Sequence, residues 1–154
     1  MSLTLVELKR PAGERHWFPF TDEEAGLGFT HQWWYNNPIH PGFRGVFLRV
    51  LENDIEVARV ELDNEVRIDH YADVPSLGAT ALEIQFIEVH SDHRRRGIGH
   101  AVIDLLRNRY PGRRLVAFSE GVDGFWSSLG WRRHLHANPE DAPYFRPLFI
   151  QPRA

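Results

Sequence analysis

Glu88-Val89-His90-Ser91-Asp92-His93-Arg94-Arg95-Arg96-Gly97-Ile98-Gly99-His100 is the stretch on which the reading of this chain turns. Before it, Thr80 to Val89 is rich in β-branched and aromatic residues, which predicts a buried strand. After it, Ile98, Val102, Leu105, Leu106 and Tyr110 fall at helical spacing, and Pro111-Gly112 stops the helix they predict. A strand therefore runs through a tight arginine- and glycine-rich turn into a helix N-terminus. The first turn of a helix has N–H groups without intrahelical acceptors, and the macrodipole favours negative charge there. Gly97 and Gly99 let a ligand approach the backbone closely, and Arg94, Arg95 and Arg96 supply countercharge. No GK[ST] follows, so the turn is not a P-loop, and G-x-G-x-x-G is incomplete because Val102 stands where its third glycine would.

Composition bounds the rest. With 154 residues, 42% hydrophobic and 25% charged, the chain reads as a single globular domain spanning 1–154. A net charge of −3 argues against a general nucleic-acid binder, despite the local basic turn. No apolar run approaches membrane-spanning length and no signal-peptide core is present, so a cytoplasmic location away from membranes is expected. There is no cysteine to carry an acyl group, and Lys9 is the only lysine. Non-covalent catalysis is the economical expectation. His90-x-x-His93 and His134-x-His136 lack a carboxylate set at metal spacing, so no metal is expected.

In chain order, Ser2 to Lys9 predicts a first strand. Thr21 and Glu24 resemble a capping box opening a helix that Gly26 and Gly28 cut short. Trp33, Trp34 and Tyr35 either cover a core edge or line a substrate pocket. Phe43–Leu51 and Ile55–Leu62 predict a hairpin around Glu52-Asn53-Asp54. Asp63 to Asp73 has no clear pattern. Arg114–Ser119 reads as a strand and Gly121–Leu129 as a helix capped by Gly130, with late strands at Trp131–Leu135 and Tyr144–Ile150. The result is a mixed α/β sheet with a strand–helix–strand crossover at its centre.

Arg94-x-x-Gly97-x-Gly99 resembles the pyrophosphate loop, R/Q-x-x-G-x-G/A, of the GNAT N-acetyltransferases. A second family pattern, N-x-x-A-x-x-x-Y-x-x-x-G-F, is similar to Ser119 through Gly130-Trp131, with Val122 at the alanine and Trp126 at the tyrosine position. The resemblance covers about residues 43–135. It implies the GNAT acyl-CoA N-acyltransferase fold, a mixed α+β class with a twisted central sheet of six to seven strands and flanking helices. It also implies acetyl-CoA as co-substrate, the pantetheine running along Ile87, Glu88, Val89 and His90. The pyrophosphate would meet Arg94, Arg95, Arg96, Gly97, Ile98, Gly99 and His100, with Ser119 and Trp126 nearby. Family members are often homodimers.

The implied reaction is direct acetyl transfer to a primary amine of a small molecule or peptide, with Trp33, Trp34 and Tyr35 at the acceptor. An alkylammonium with a pKa of about 10 costs roughly 4–5 kcal/mol to deprotonate at pH 7, a cost that a general base offsets. Glu83 is the first candidate base, because several family members place a catalytic glutamate there. Strand alternation puts Glu83, Gln85, Ile87 and Val89 on one face and Ile84, Phe86 and Glu88 on the other. A bulge would exchange those faces, which makes Glu88 the second candidate. The family's usual acid is the tyrosine that Trp126 replaces, and an indole N–H is no acid. Either another hydroxyl, such as Ser119 or Tyr144, then becomes the candidate proton donor to the leaving thiolate, or protonation comes from water. The alternatives are a silent module that binds CoA without catalysis and a transferase for a longer acyl chain.

Overall fold

The computed structural model describes residues 1–20, 27–35 and 38–153. Its strands and helices are β1 Leu3–Leu8, α1 His31–Tyr35, β2 Gly45–Glu52, β3 Ile55–Asp63, β4 Ala81–Val89, α2 Ile98–Arg109, β5 Arg114–Phe118, α3 Asp123–Ser128, β6 Arg132–His134 and β7 Leu148–Ile150. Hydrogen bonding orders the strands β1-β2-β3-β4-β5-β7-β6 in one seven-stranded sheet. It is mixed: β4 pairs parallel with β5, whereas β1 with β2, β5 with β7 and β6 with β7 are antiparallel. The expected α+β class and strand number are those observed.

By contact density the chain forms two compact units. The first contains residues 1–61 and 86–106, the second 62–85 and 107–154.

In the first unit the hairpin turns at Asn53 and Asp54, with φ of 51° and 65°. Two successive left-handed residues make the tight turn whose twist matches its strands, and Asn and Asp tolerate that conformation best among non-glycine residues. Leu48, Val50, Val57, Ala58 and Val60 are fully buried along β2 and β3. A second core is aromatic: Phe20, Phe29, Trp34 and Phe47 are buried, with Trp17, Trp33, Tyr35, Phe43 and Phe86 packed against them. Helix α2 buries Ile98, Val102, Ile103 and Leu106. Sequence periodicity placed Leu105 in that stripe, but it is only half-buried, and Ile103 takes its place. The capping box expected at Thr21 and Glu24 lies outside the described residues.

In the second unit Ile68, Tyr71, Leu77, Ala81, Val116, Leu148 and Ile150 form the core. Residues 64–77 remain irregular, joined to residue 136 by a single bridge at Tyr71. The guanidinium of Arg113 holds this segment by donating to Thr80 O, Ala81 O and Asn64 Oδ1. Gly130, at φ +78°, ends α3 as expected: its N–H bonds Ser127 O and that of Trp131 bonds Trp126 O. The strand expected over Tyr144–Ile150 is a correction. Only Leu148–Ile150 is extended into the sheet, and Ala142–Tyr144 is a 3₁₀ turn. Pro143 and Pro147 lack the N–H that a ladder needs.

Candidate functional site

The first unit holds the glycine turn, built as its sequence requires. Strand β4 ends with the His90 N–H donated to Val57 O. A short 3₁₀ turn, Ser91–His93, follows, capped by His90, whose Nδ1 accepts from the Asp92 N–H at 3.0 Å. The chain then reverses through two left-handed residues, Arg95 at φ 63° and Gly97 at φ 76°, before α2 begins. Nothing stands within 4 Å of where a Cβ on Gly97 would be, so conformation rather than crowding requires glycine there.

The turn leaves donors open. Among the described residues, no main-chain N–H from Arg94 to Gly99 has a partner. Gly97 is exposed and Gly99 half-buried, while buried Ile98 anchors the helix start. Bare amides at the N-terminus of a twelve-residue helix are donors of the kind that suit an anion.

The arginine side chains divide. Arg96 forks onto the Glu52 carboxylate at 2.8 and 3.0 Å and donates to His93 Nδ1 at 3.0 Å. Arg94 folds back, donating from Nε to Val89 O at 3.2 Å and lying 3.8 Å from Glu88. Arg95 has no partner among the described residues. The triple arginine read as countercharge is therefore one free cation beside two that brace the turn. The rings of His90 and His93 are 5.4 Å apart, each with Nδ1 already accepting a hydrogen bond.

Glu88 ties the turn to α1. Its Oε1 accepts from the Thr30 N–H at 2.8 Å and from Trp34 Nε1 at 2.7 Å, and its Oε2 accepts from Thr30 Oγ1 at 2.6 Å. With Arg94 added, both oxygens are engaged. Phe86 shares that face, stacking on Trp33 at 4.3 Å and meeting Trp34 edge-on at 5.2 Å. This is the alternation expected for β4. Trp34 is buried, while Trp33 and Tyr35 are partly exposed. Trp33 Nε1 is buried without a partner.

Sequence reasoning missed two features here. Arg59 is fully buried, a cation sandwiched between the rings of Phe20 at 4.2 Å and Phe29 at 4.3 Å. It donates to the Tyr35 hydroxyl at 2.9 Å and to Glu56 Oε1 at 2.8 Å. Alternation in β3 marks the position only as core-facing, and no local signal names its partners. The second is Gly28, at φ +98°, where a Cβ would come within 2.3 Å of the His90 ring. Its carbonyl accepts from the Ser91 N–H.

The other candidates lie in the second unit. Glu83 is 7% exposed in β4, in parallel register with Val116. Ser119 is buried, and its Oγ accepts from the Val122 N–H at 3.2 Å, bracing the start of α3. Trp126 is buried and stacked on Trp131 at 4.9 Å, with Nε1 unpartnered. Tyr144 is 85% exposed on its 3₁₀ turn. The described residues contain no group of three or more His, Cys, Asp or Glu that could hold a metal, and no helix long and apolar enough to cross a membrane.

No family model and no curated protein matches the chain. Solved structures do. An aminoglycoside acetyltransferase, AAC(6')-Ib, in complex with coenzyme A is 11% identical with a TM-score of 0.60, over 99% of this chain and 95% of its own. Protein YhhK from Escherichia coli, bound to coenzyme A, is 17% identical with a TM-score of 0.55, over 86% and 92%. The ribosomal-protein-S18-alanine N-acetyltransferase from Escherichia coli is 16% identical with a TM-score of 0.53, over 97% and 91%. At such identities a likeness speaks for architecture, and it agrees with the seven-stranded mixed sheet and the turn between β4 and α2: this chain has the fold of the GNAT acetyltransferases.

Proposed function

We propose that the chain is an acetyltransferase that takes the acetyl group from acetyl-CoA and passes it directly to a primary amine. One observation carries the reading: the run of unpartnered N–H groups from Arg94 to Gly99 at the head of α2, opened by Gly97. Such a cradle suits the diphosphate of coenzyme A, and coenzyme A is bound in two of the fold's relatives named above. The pantetheine then follows Ile87 to His90, and Arg95 draws the anion in.

Glu83 is the base we favour. The oxygens of Glu88 already accept three hydrogen bonds and face Arg94, so taking a proton would break contacts that hold α1 to β4. Glu88 is therefore a positioning residue for the acceptor wall. Trp33, stacked on Phe86 and partly exposed, belongs to that wall in this reading and suits an amine on a small molecule or a peptide end. Trp126 has no proton to give, and the Ser119 hydroxyl or water serves the leaving thiolate. A thiol of pKa about 8.5 leaves readily, so the acid matters less than the base.

The test is calorimetry with CoA, followed by thiol release from acetyl-CoA across a panel of amines. Glu83→Gln should lower kcat by about a hundredfold or more with CoA affinity unchanged. Binding of CoA with no turnover on any amine would leave a silent module, and absence of saturable CoA binding would end the reading.

A further inference from the structure

The second unit carries a cavity lined by none of the residues assigned above to acetyl transfer. It measures about 450 Å³, within the range of small-molecule sites. Asp73 lines it from the irregular segment, and Arg114, Arg132 and His134 line it from the sheet. The register explains why these three converge. Val116 pairs with Ile150, and Ile150 with Arg132, so all three side chains stand on one face. His134, two residues beyond Arg132, and Arg114, two before Val116, share it.

The polar groups there are fixed but incompletely used. His134 is 5% exposed, with Nδ1 2.9 Å from Ala72 O. A carbonyl only accepts, so Nδ1 carries the proton and Nε2 is the ring's remaining polar atom, without a partner among the described residues. Arg114 directs Nε and Nη2 at Gln151 O. The side chains of Arg132 and Asp73 make no ion pair or hydrogen bond among the described residues.

We propose that this cavity binds a small hydroxyl-bearing phosphomonoester. The guanidinium of Arg132 meets anionic oxygens, with the charge of Arg114 behind it. Nε2 of His134 accepts from a P–O–H, which a phosphomonoester with a second pKa of about 6 still presents in part near neutrality. A carboxylate has no such donor. Asp73 opposes the anion's charge and accepts from a carbon-borne hydroxyl of the ester, a contact that inorganic phosphate can offer only from its own P–O–H, which His134 already takes.

The probes are glycerol 3-phosphate, inorganic phosphate and acetate, titrated by calorimetry into the full chain. Glycerol 3-phosphate should bind saturably at one site, more tightly than inorganic phosphate, and acetate should not compete. Arg132→Met should weaken it by about tenfold or more. His134→Asn, whose amide can still donate to Ala72 O, should weaken it too. Arg132→Met should leave the thermal midpoint unchanged, and both should leave the CoA affinity unchanged. Asp73→Asn should erase the preference over inorganic phosphate. No saturable binding at millimolar glycerol 3-phosphate would overturn the proposal, as would tighter binding of inorganic phosphate, competition by acetate, or affinity that survives both Arg132→Met and His134→Asn. Because no probe contains coenzyme A, these results stand apart from the acetyl-transfer reading.

Discussion

Arginine serves two ends in the first unit. Arg59 is dry: two aromatic rings cover its faces, and a tyrosine hydroxyl and a carboxylate accept hydrogen bonds from its terminal NH2 groups. At the turn after β4, Arg94, Arg95 and Arg96 are all exposed, and only two of them are tied down. A buried cation must be satisfied or it destabilises the fold. An exposed one is screened by salt and contributes little to stability, but it attracts anions. The contrast separates a residue that holds α1 through Tyr35 from residues that present a charge.

Substitutions can break that contrast. Arg59→Met should cost up to about 3 kcal/mol in chemical denaturation, because Tyr35 and Glu56 lose a charged donor while Arg49 still pairs with Glu56. A change under a kilocalorie would mean that the cage is not structural. Glu88→Gln should cost roughly 1.5–3 kcal/mol through weakened bonds to Thr30 and Trp34. The acidic limb of its pH–rate profile should stay where it is; loss of that limb would make Glu88 the base after all. Gly97→Val forces a side chain into a left-handed position at about 1–2 kcal/mol, and CoA affinity by calorimetry should fall by about tenfold or more. Arg95→Ala should change stability by less than about 0.5 kcal/mol. It should slow CoA association at low salt and not at high salt, as stopped-flow measurements can check.

The smallest expected effect concerns Tyr71 in the second unit. Burial raises its pKa above the ordinary 10.0, against the lowering influence of Arg146, and its hydroxyl donates to Arg146 O at 2.6 Å. The folded chain favours the neutral phenol. Its contribution is present below the ordinary value and is lost as pH rises through the higher folded one. Tyr71→Phe should flatten the alkaline decline in stability.

Much of this was legible locally. Alternation in β2 and β3, the Asn53-Asp54 turn, the apolar stripe of α2 and the Gly130 cap are each set by residues within a few positions of one another. The glycine turn belongs with them, since a left-handed backbone and a helix N-terminus both follow from neighbouring residues. The last strand was overextended because the proline effect at 143 and 147 was outweighed by Tyr144, Phe145 and Phe149, which read as strand formers. The segment before β2 had no period to read. Trp34 is placed by Glu88, 54 residues away, and Tyr35 by Arg59, 24 residues away.

The amino-acid order alone determined where unpartnered amides gather, because free amides at a helix start arise from local backbone geometry. Tertiary structure decided which charges remain available to a ligand. Arg94 and Arg96 are claimed by Glu88 and Glu52, and Glu88 is claimed by Thr30 and Trp34. Arg132 is left open above a cavity. Pairing of charges depends on which distant residues folding brings within hydrogen-bond reach, and no window along the chain contains that information.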